Sequence, residues 1–149
     1  MTTEQATIDA FVAEPALALV GVSRSGKKFG NVALRELRSH GYRVYPVHPL
    51  ASEIDGVPCV RSLAELPEPV GGVVVSVPAD QAVVAVRDAA AAGIRRVWLQ
   101  QGAGSPYVVT VCRELGVEPV VNQCILMFAS PRGIHRAHRF VHDILHFAA

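Results

Sequence analysis

The run 72-GVVVSV-77 is apolar at almost every position, and 16-ALALVGV-22 repeats the pattern near the start of the chain. A strand with one wet face alternates apolar and polar residues. A strand that is apolar at consecutive positions is covered on both faces, which is the situation inside a parallel sheet. The segments between such runs carry helical punctuation. Residues 31–40, NVALRELRSH, read as a helix with Asn31 as N-cap and Gly41 just past its end. A helix capped by Asp80 runs to about Ala92 and closes at Gly93; another opens at Ser105-Pro106 and ends at Gly116. Further strands are expected at 43-RVYPVH-48, 57-VPCV-60, 95-RRVWLQ-100 and 118-EPVVN-122, with Pro46 weakening the pairing near the end of its strand. A lead-in helix over 4–13 stops before Pro15, and a short helix lies around 62-SLAEL-66. Strand–helix alternation with short links predicts an α/β fold: one Rossmann-like, doubly wound parallel sheet with right-handed crossovers. The 149 residues fit a single domain, with a core over about 12–128 and a C-terminal helix over 130–147. Ile134, Ala137, Val141, Ile144 and Leu145 line one face of that last helix, which is expected to cover the sheet or to form a homodimer contact.

Charge and cysteine usage narrow the function. Fourteen basic and thirteen acidic residues leave a formal net charge of +1, without the basic excess of a general nucleic-acid binder. Cys59, Cys112 and Cys124 are widely spaced and form no CxxC pair. No secretory signal is visible and no run approaches the roughly 20 apolar residues of a membrane helix. The expectation is a cytoplasmic protein with reduced thiols and no membrane partner.

The loop after the first strand, 21-GVSRSGKKFGN-31, is where a doubly wound fold places a phosphate. It offers backbone N–H groups, two hydroxyls and the cations Arg24, Lys27 and Lys28, followed by a helix N-terminus. Gly21, four residues, Gly26 and Lys27 approach a P-loop, but Lys28 stands where a magnesium-ligating Ser or Thr is needed. An ammonium has no lone pair for a metal. The dinucleotide pattern G-x-G-x-x-G is absent because position 23 is Ser, and the second strand ends 45-YPVHP-49 without a carboxylate for a ribose hydroxyl. The loop cations leave NADP open. Coenzyme A (CoA), whose ADP part carries a 3′-phosphate, suits a serine-rich, cation-rich loop.

The order VGVSRSGKKFGN, YRVYPVHP, GVPCVRSLAELPEPV, VVVSVPADQ, VWLQQG, NQC resembles the CoA-binding domain family over about residues 12–128. The VPA element is similar to that of the nucleotide-binding domain of the succinyl-CoA synthetase alpha subunit. The resemblance implies a Rossmann-like fold with CoA in the crevice at the strand ends. By position it implies a first loop of Gly21, Ser23, Ser25, Phe29, Gly30 and Asn31, with Arg24, Lys27 and Lys28 as phosphate contacts. Pro46 and His48 belong to the second loop. Val77, Pro78, Ala79 and Gln81 form the third, and Gln100 and Gly102 end the fourth strand. After Cys124 the sequence 124-CILMFASPRGIHRAHRF-140 departs from the family's usual acidic residue and His.

Other features have plainer readings. Cys124 is either a small buried hydrophobe or the site of a mixed disulfide with the CoA thiol. His135, His138, His142 and His146 share a helical stripe without the further ligands of a metal site. Trp98 is expected in the core. No nucleophile–base–acid order appears, and in the synthetase the ligase chemistry lies in a following domain. The expectation is a binding protein: a CoA carrier, a sensor or a thiol-protection factor. A small NADP-dependent redox protein and a regulatory subunit that uses its C-terminal helix as an interface are the alternatives.

Overall fold

The computed structural model describes residues 3–129. The expected terminal helix over 130–147, the dimer contact expected of it and the histidine stripe lie outside the described residues. In chain order the elements are α1 (Glu4–Val12), β1 (Ala16–Val20), α2 (Phe29–Ser39), β2 (Arg43–Val47), β3 (Glu53–Ile54), β4 (Val57–Pro58), β5 (Gly72–Val75), α3 (Ala79–Ala91), β6 (Arg96–Leu99), α4 (Pro106–Glu114) and β7 (Glu118–Val121). Single 3-10 turns occupy Leu63–Glu65 and Ile125–Met127. Five strands form one sheet in the order β2-β1-β5-β6-β7. All four pairings are parallel.

The unbroken apolar runs have the expected cause. Leu17 and Leu19 of β1 face one layer while Ala18 faces the other, and all three are fully buried. The first layer gathers Ile8 and Phe11 of α1, Ala33, Leu34 and Leu37 of α2, Val74 and Trp98. The second gathers Ala82, Ala85, Val86 and Ala89 of α3 and Val108, Val111 and Cys112 of α4 against Val73, Val75, Val97 and Leu99. Trp98 is a core residue, edge-on to Phe11 with ring centroids 5.3 Å apart. The doubly wound architecture is therefore present, with a helical layer on each face of the sheet.

Three expectations change. Asn31 does not cap α2, because the helix begins two residues earlier at Phe29 with Lys28 as N-cap. Pro78, not Asp80, is the N-cap of α3; Asp80 sits in the first turn, where a carboxylate favours the helix dipole. The segment 57–60 contributes no full strand to the main sheet. Its first half pairs with β3 in a separate antiparallel hairpin, and Val60 alone bridges to Val47. Ser105 caps α4 as expected, accepting from the Val108 N–H at 3.3 Å.

Both outer strands carry a proline on the side away from the sheet. The Glu118 N–H donates inward to Arg95 O at 2.8 Å, so alternation turns the Pro119 nitrogen outward. The Arg43 N–H donates inward to Pro15 O at 2.9 Å, which turns the Pro46 nitrogen outward too. Pro46 does not weaken its strand, since β2 pairs with β1 through Val47. At β7 the missing N–H falls where a foreign strand would otherwise dock, while at β2 that side meets the chain itself, Pro46 O accepting from the Val60 N–H at 3.0 Å.

At the N-terminal end of β2, Glu68 receives two hydrogen bonds from the Arg43 guanidinium, each 2.8 Å, and one from the Tyr45 hydroxyl. The Arg43 and Tyr45 hydrogen bonds hold the Glu68 carboxyl down at about 2. The same contact with Glu68 raises the Tyr45 hydroxyl. A carboxylate with a depressed folded pKa adds stability above its unfolded value and loses it as pH falls toward the folded value. Acid titration of chemical stability should therefore show a loss between about pH 4.5 and pH 2 that Glu68→Gln flattens. A variant with the parent's acid limb would show that the clamp does not contribute.

Candidate functional site

The chain leaves β1 toward β2 on one side and returns after β2 to β5 on the other, so strand order reverses between β1 and β5. In doubly wound sheets this reversal, beyond the strand C-termini, is where a ligand crevice is expected. Gly21, just past β1, has φ +120°, and a Cβ there would lie 2.2 Å from the Ser76 carbonyl oxygen. Gly30, in the first turn of α2, is equally constrained: its Cβ would lie 2.2 Å from the Gly21 carbonyl oxygen. No side chain fits at either point. The end of β1, the end of β5 and the start of α2 thus meet backbone to backbone.

Asn31 explains the shape of the loop between them. It is fully buried. Its Oδ1 accepts from the Ser23 N–H, and its Nδ2 donates to Ser23 O, both at 2.9 Å. Nδ2 also donates to Asp55 Oδ2 at 3.1 Å. The serines act within the loop: Ser23 and Ser25 hydroxyls lie 2.9 Å apart, Ser23 Oγ accepts from Ser25 N–H, and Ser25 Oγ accepts from Lys27 N–H. These groups hold the loop, and other groups face the solvent.

The loop leaves backbone donors unspent at the N-terminus of α2. Lys28 makes no side-chain cap. The Phe29 and Gly30 N–H groups have no hydrogen-bond partner among the described residues, although Gly30 is buried. Unsatisfied N–H groups in a helix's first turn carry the positive end of its dipole. Arg24, Lys27 and Lys28 are exposed around them, and none pairs with another described side chain.

The remaining residues ring the same edge. Pro46 is buried near the end of β2, and His48 follows it, its Nδ1 accepting from the Leu50 and Ala51 N–H groups at 3.1 and 2.9 Å. That leaves Nε2 as the ring's donor when the imidazole is neutral. Val77, Pro78 and Ala79 form the turn from β5 into α3, with Gln81 exposed in its first turn. Gln100 follows β6 and is nearly buried, while Gly102 is an exposed turn residue with φ +87°. Cys124 is half-buried just after β7, with a free thiol.

Sequence reading missed Asp55 and Arg35. Asp55 Oδ2 accepts from Arg35 Nη1 at 3.1 Å as well as from Asn31, so the tip of the β3–β4 hairpin is tied to the loop. The signal was present as 54-IDGV-57, an Asp-Gly between apolar residues, with both turn residues at positive φ (52° and 76°). What it could not indicate is where the hairpin lands.

Asn31→Leu removes three hydrogen bonds and strands the buried loop groups they satisfy. The expected cost is about 3 kcal/mol by urea denaturation. A loss below about 1 kcal/mol would mean that the loop is not organised through Asn31.

Comparison with known proteins meets this geometry. A family model described as a CoA binding domain matches residues 16–130. The chain is 38% identical to a conserved hypothetical protein of Pyrococcus furiosus, with a TM-score of 0.71 over 75% of this chain and 97% of that one. It is 27% identical to a hypothetical protein of Pyrococcus horikoshii OT3, with a TM-score of 0.77 over 85% of this chain and 89% of that one. It is also 29% identical over 121 residues to the ADP-forming acetate–CoA ligase I of Archaeoglobus fulgidus, covering 74% of this chain and 18% of the ligase. The chain thus spans less than a fifth of that relative's length. With a matched region running from the start of β1 to just past the turn after Cys124, the chain belongs to the CoA-binding domain family.

Proposed function

We propose that this protein binds CoA or an acyl-CoA in the crevice between β1 and β5, as a carrier, sensor or thiol-protection protein and not as a ligase. One observation supports this most. The N-terminus of α2 presents unspent N–H groups, one of them on a buried glycine, among three cations with no described partner. That arrangement fits a ligand with several phosphates, and the close packing of Gly21 and Gly30 holds the helix N-terminus at the end of β1. The residues that would hold the ADP part are Phe29 and Gly30 through their N–H groups and Arg24, Lys27 and Lys28 through charge. Pro46, His48, Val77, Pro78, Ala79, Gln81, Gln100 and Gly102 would line the rest of the crevice. Ser23, Ser25 and Asn31 would act indirectly, by holding the loop.

The ligase relative is matched over only 18% of its length, so its activity is not carried over to this chain. An NADP reading has one structural point in its favour, the same cations. Against it, the loop lacks the G-x-G-x-x-G pattern of dinucleotide binding, with Ser23 where the second glycine is needed. Among the described residues no helix is long and apolar enough to cross a membrane.

Thermal shift and calorimetry with CoA, acetyl-CoA, dephospho-CoA, NADP and ATP test the reading. CoA at 100 times its Kd should stabilise the fold by about 2.7 kcal/mol. Replacing Arg24, Lys27 and Lys28 together by Glu should weaken CoA at least ten-fold and flatten its salt dependence. Stabilisation by NADP without any by CoA would overturn the proposal.

A further inference from the structure

The β3–β4 hairpin is bonded to two loops at the C-terminal ends of the strands. Just past its base, the Val60 N–H donates to Pro46 O at 3.0 Å, and the His48 N–H donates to Val60 O at 2.9 Å. These contacts hold the loop after β2. At the tip, Asp55 Oδ2 accepts from Asn31 Nδ2 and from Arg35 Nη1, each at 3.1 Å. These contacts reach the loop after β1. Between base and tip, Ile54 and Val57 are buried in the first layer. The hairpin's own position is therefore set by the core.

The tip bears on the first loop at one turn. Gly26 has φ +75°, and a Cβ there would lie 3.5 Å from Asp55 Oδ1. Arg35, paired with Asp55, also donates to Gly26 O at 3.4 Å. Lys27 and Lys28 follow Gly26 directly, and α2 begins at Phe29. The turn that places these two cations is thus held through Asn31, which is fully buried, and through Asp55, whose side chain is 26% exposed.

We propose that the β3–β4 hairpin is a clip that sets the spacing between the first and second loops, with Asp55 as the residue that positions the first. This rests on those loops holding CoA. Asp55 touches no ligand in this arrangement. It acts through Asn31, Arg35 and the turn at Gly26. A ligand that contacts both loops stabilises the clipped form, and the clip raises the affinity for that ligand by the same factor, because linkage is reciprocal.

Two substitutions separate the tether from the charge. Asp55→Gly removes the side chain and keeps the turn, since glycine adopts positive φ readily. Asp55→Asn keeps an oxygen that can accept from both Asn31 and Arg35 and loses only the charge. The test compares both full-length variants with the parent, by calorimetry with CoA and by hydrogen exchange over 21–31 and 53–58. Asp55→Gly should weaken CoA about ten-fold. Without ligand, its loop 21–31 should exchange about ten-fold faster than the parent's. Asp55→Asn should stay within about two-fold of the parent in both measurements. CoA should slow exchange across 53–58 in the parent and not in Asp55→Gly. Parent-like affinity in Asp55→Gly would overturn the proposal. Equal changes in the two variants would overturn it as well, because the charge alone would then account for them. If the parent itself does not bind CoA, the CoA reading fails, and exchange of loop 21–31 without ligand still decides whether Asp55 positions it.

Discussion

Gly21 and Gly30 meet with no space between them for even a methyl group, and Gly21 makes the same kind of contact with Ser76 at the end of β5. Protein interiors are packed tightly enough that such a contact cannot relax around an added atom without moving backbone. Here the backbone in question is the end of β1, the end of β5 and the first turn of α2. Their mutual position therefore follows from two missing side chains. The crevice at the strand reversal, and the direction in which α2 points its N-terminus, both depend on that contact.

What the loop does with its polar residues follows from the same geometry. A chain that turns sharply from β1 into α2 leaves the Ser23 N–H and C=O in need of partners, and Asn31 supplies both from within the helix. The two serines satisfy other loop N–H groups. Asp55 adds a tether from the β3–β4 hairpin and pairs with Arg35, so the exposed loop cations without a described side-chain partner are Arg24, Lys27 and Lys28. Residues of one short loop thus divide into those that build it and those that remain available to a ligand.

On the far side of the crevice the sheet itself sets the wall. Trp98 buries its ring in the first layer and uses its one polar atom on Gln123; Gln100, one pleat further, holds Ile125. Strand periodicity puts both on the same face. The segment carrying Cys124 is thereby fixed to β6 as well as to its own strand β7.

The sequence by itself determined the architecture. Consecutive apolar residues in 16–20 and 72–75 demand cover on both faces, and Gly and Pro punctuation marks the links between elements, so a doubly wound parallel sheet could be read without coordinates. The loop 21–31 and its order relative to the later motifs were also legible, because phosphate-binding loops follow a strand at a fixed place. Local chemistry did not settle the roles within that loop. Asn31 has the composition of an N-cap and is not one, because the close approach of Gly30 to Gly21 draws the helix start back to Phe29. Asp55 lies 24 residues from Asn31, and Gln100 lies 25 from Ile125. Contacts at such separations leave no periodic trace in a single sequence. Only the tertiary structure decided which polar groups are consumed in holding the crevice and which remain free, since that depends on what the folded chain brings within hydrogen-bonding distance.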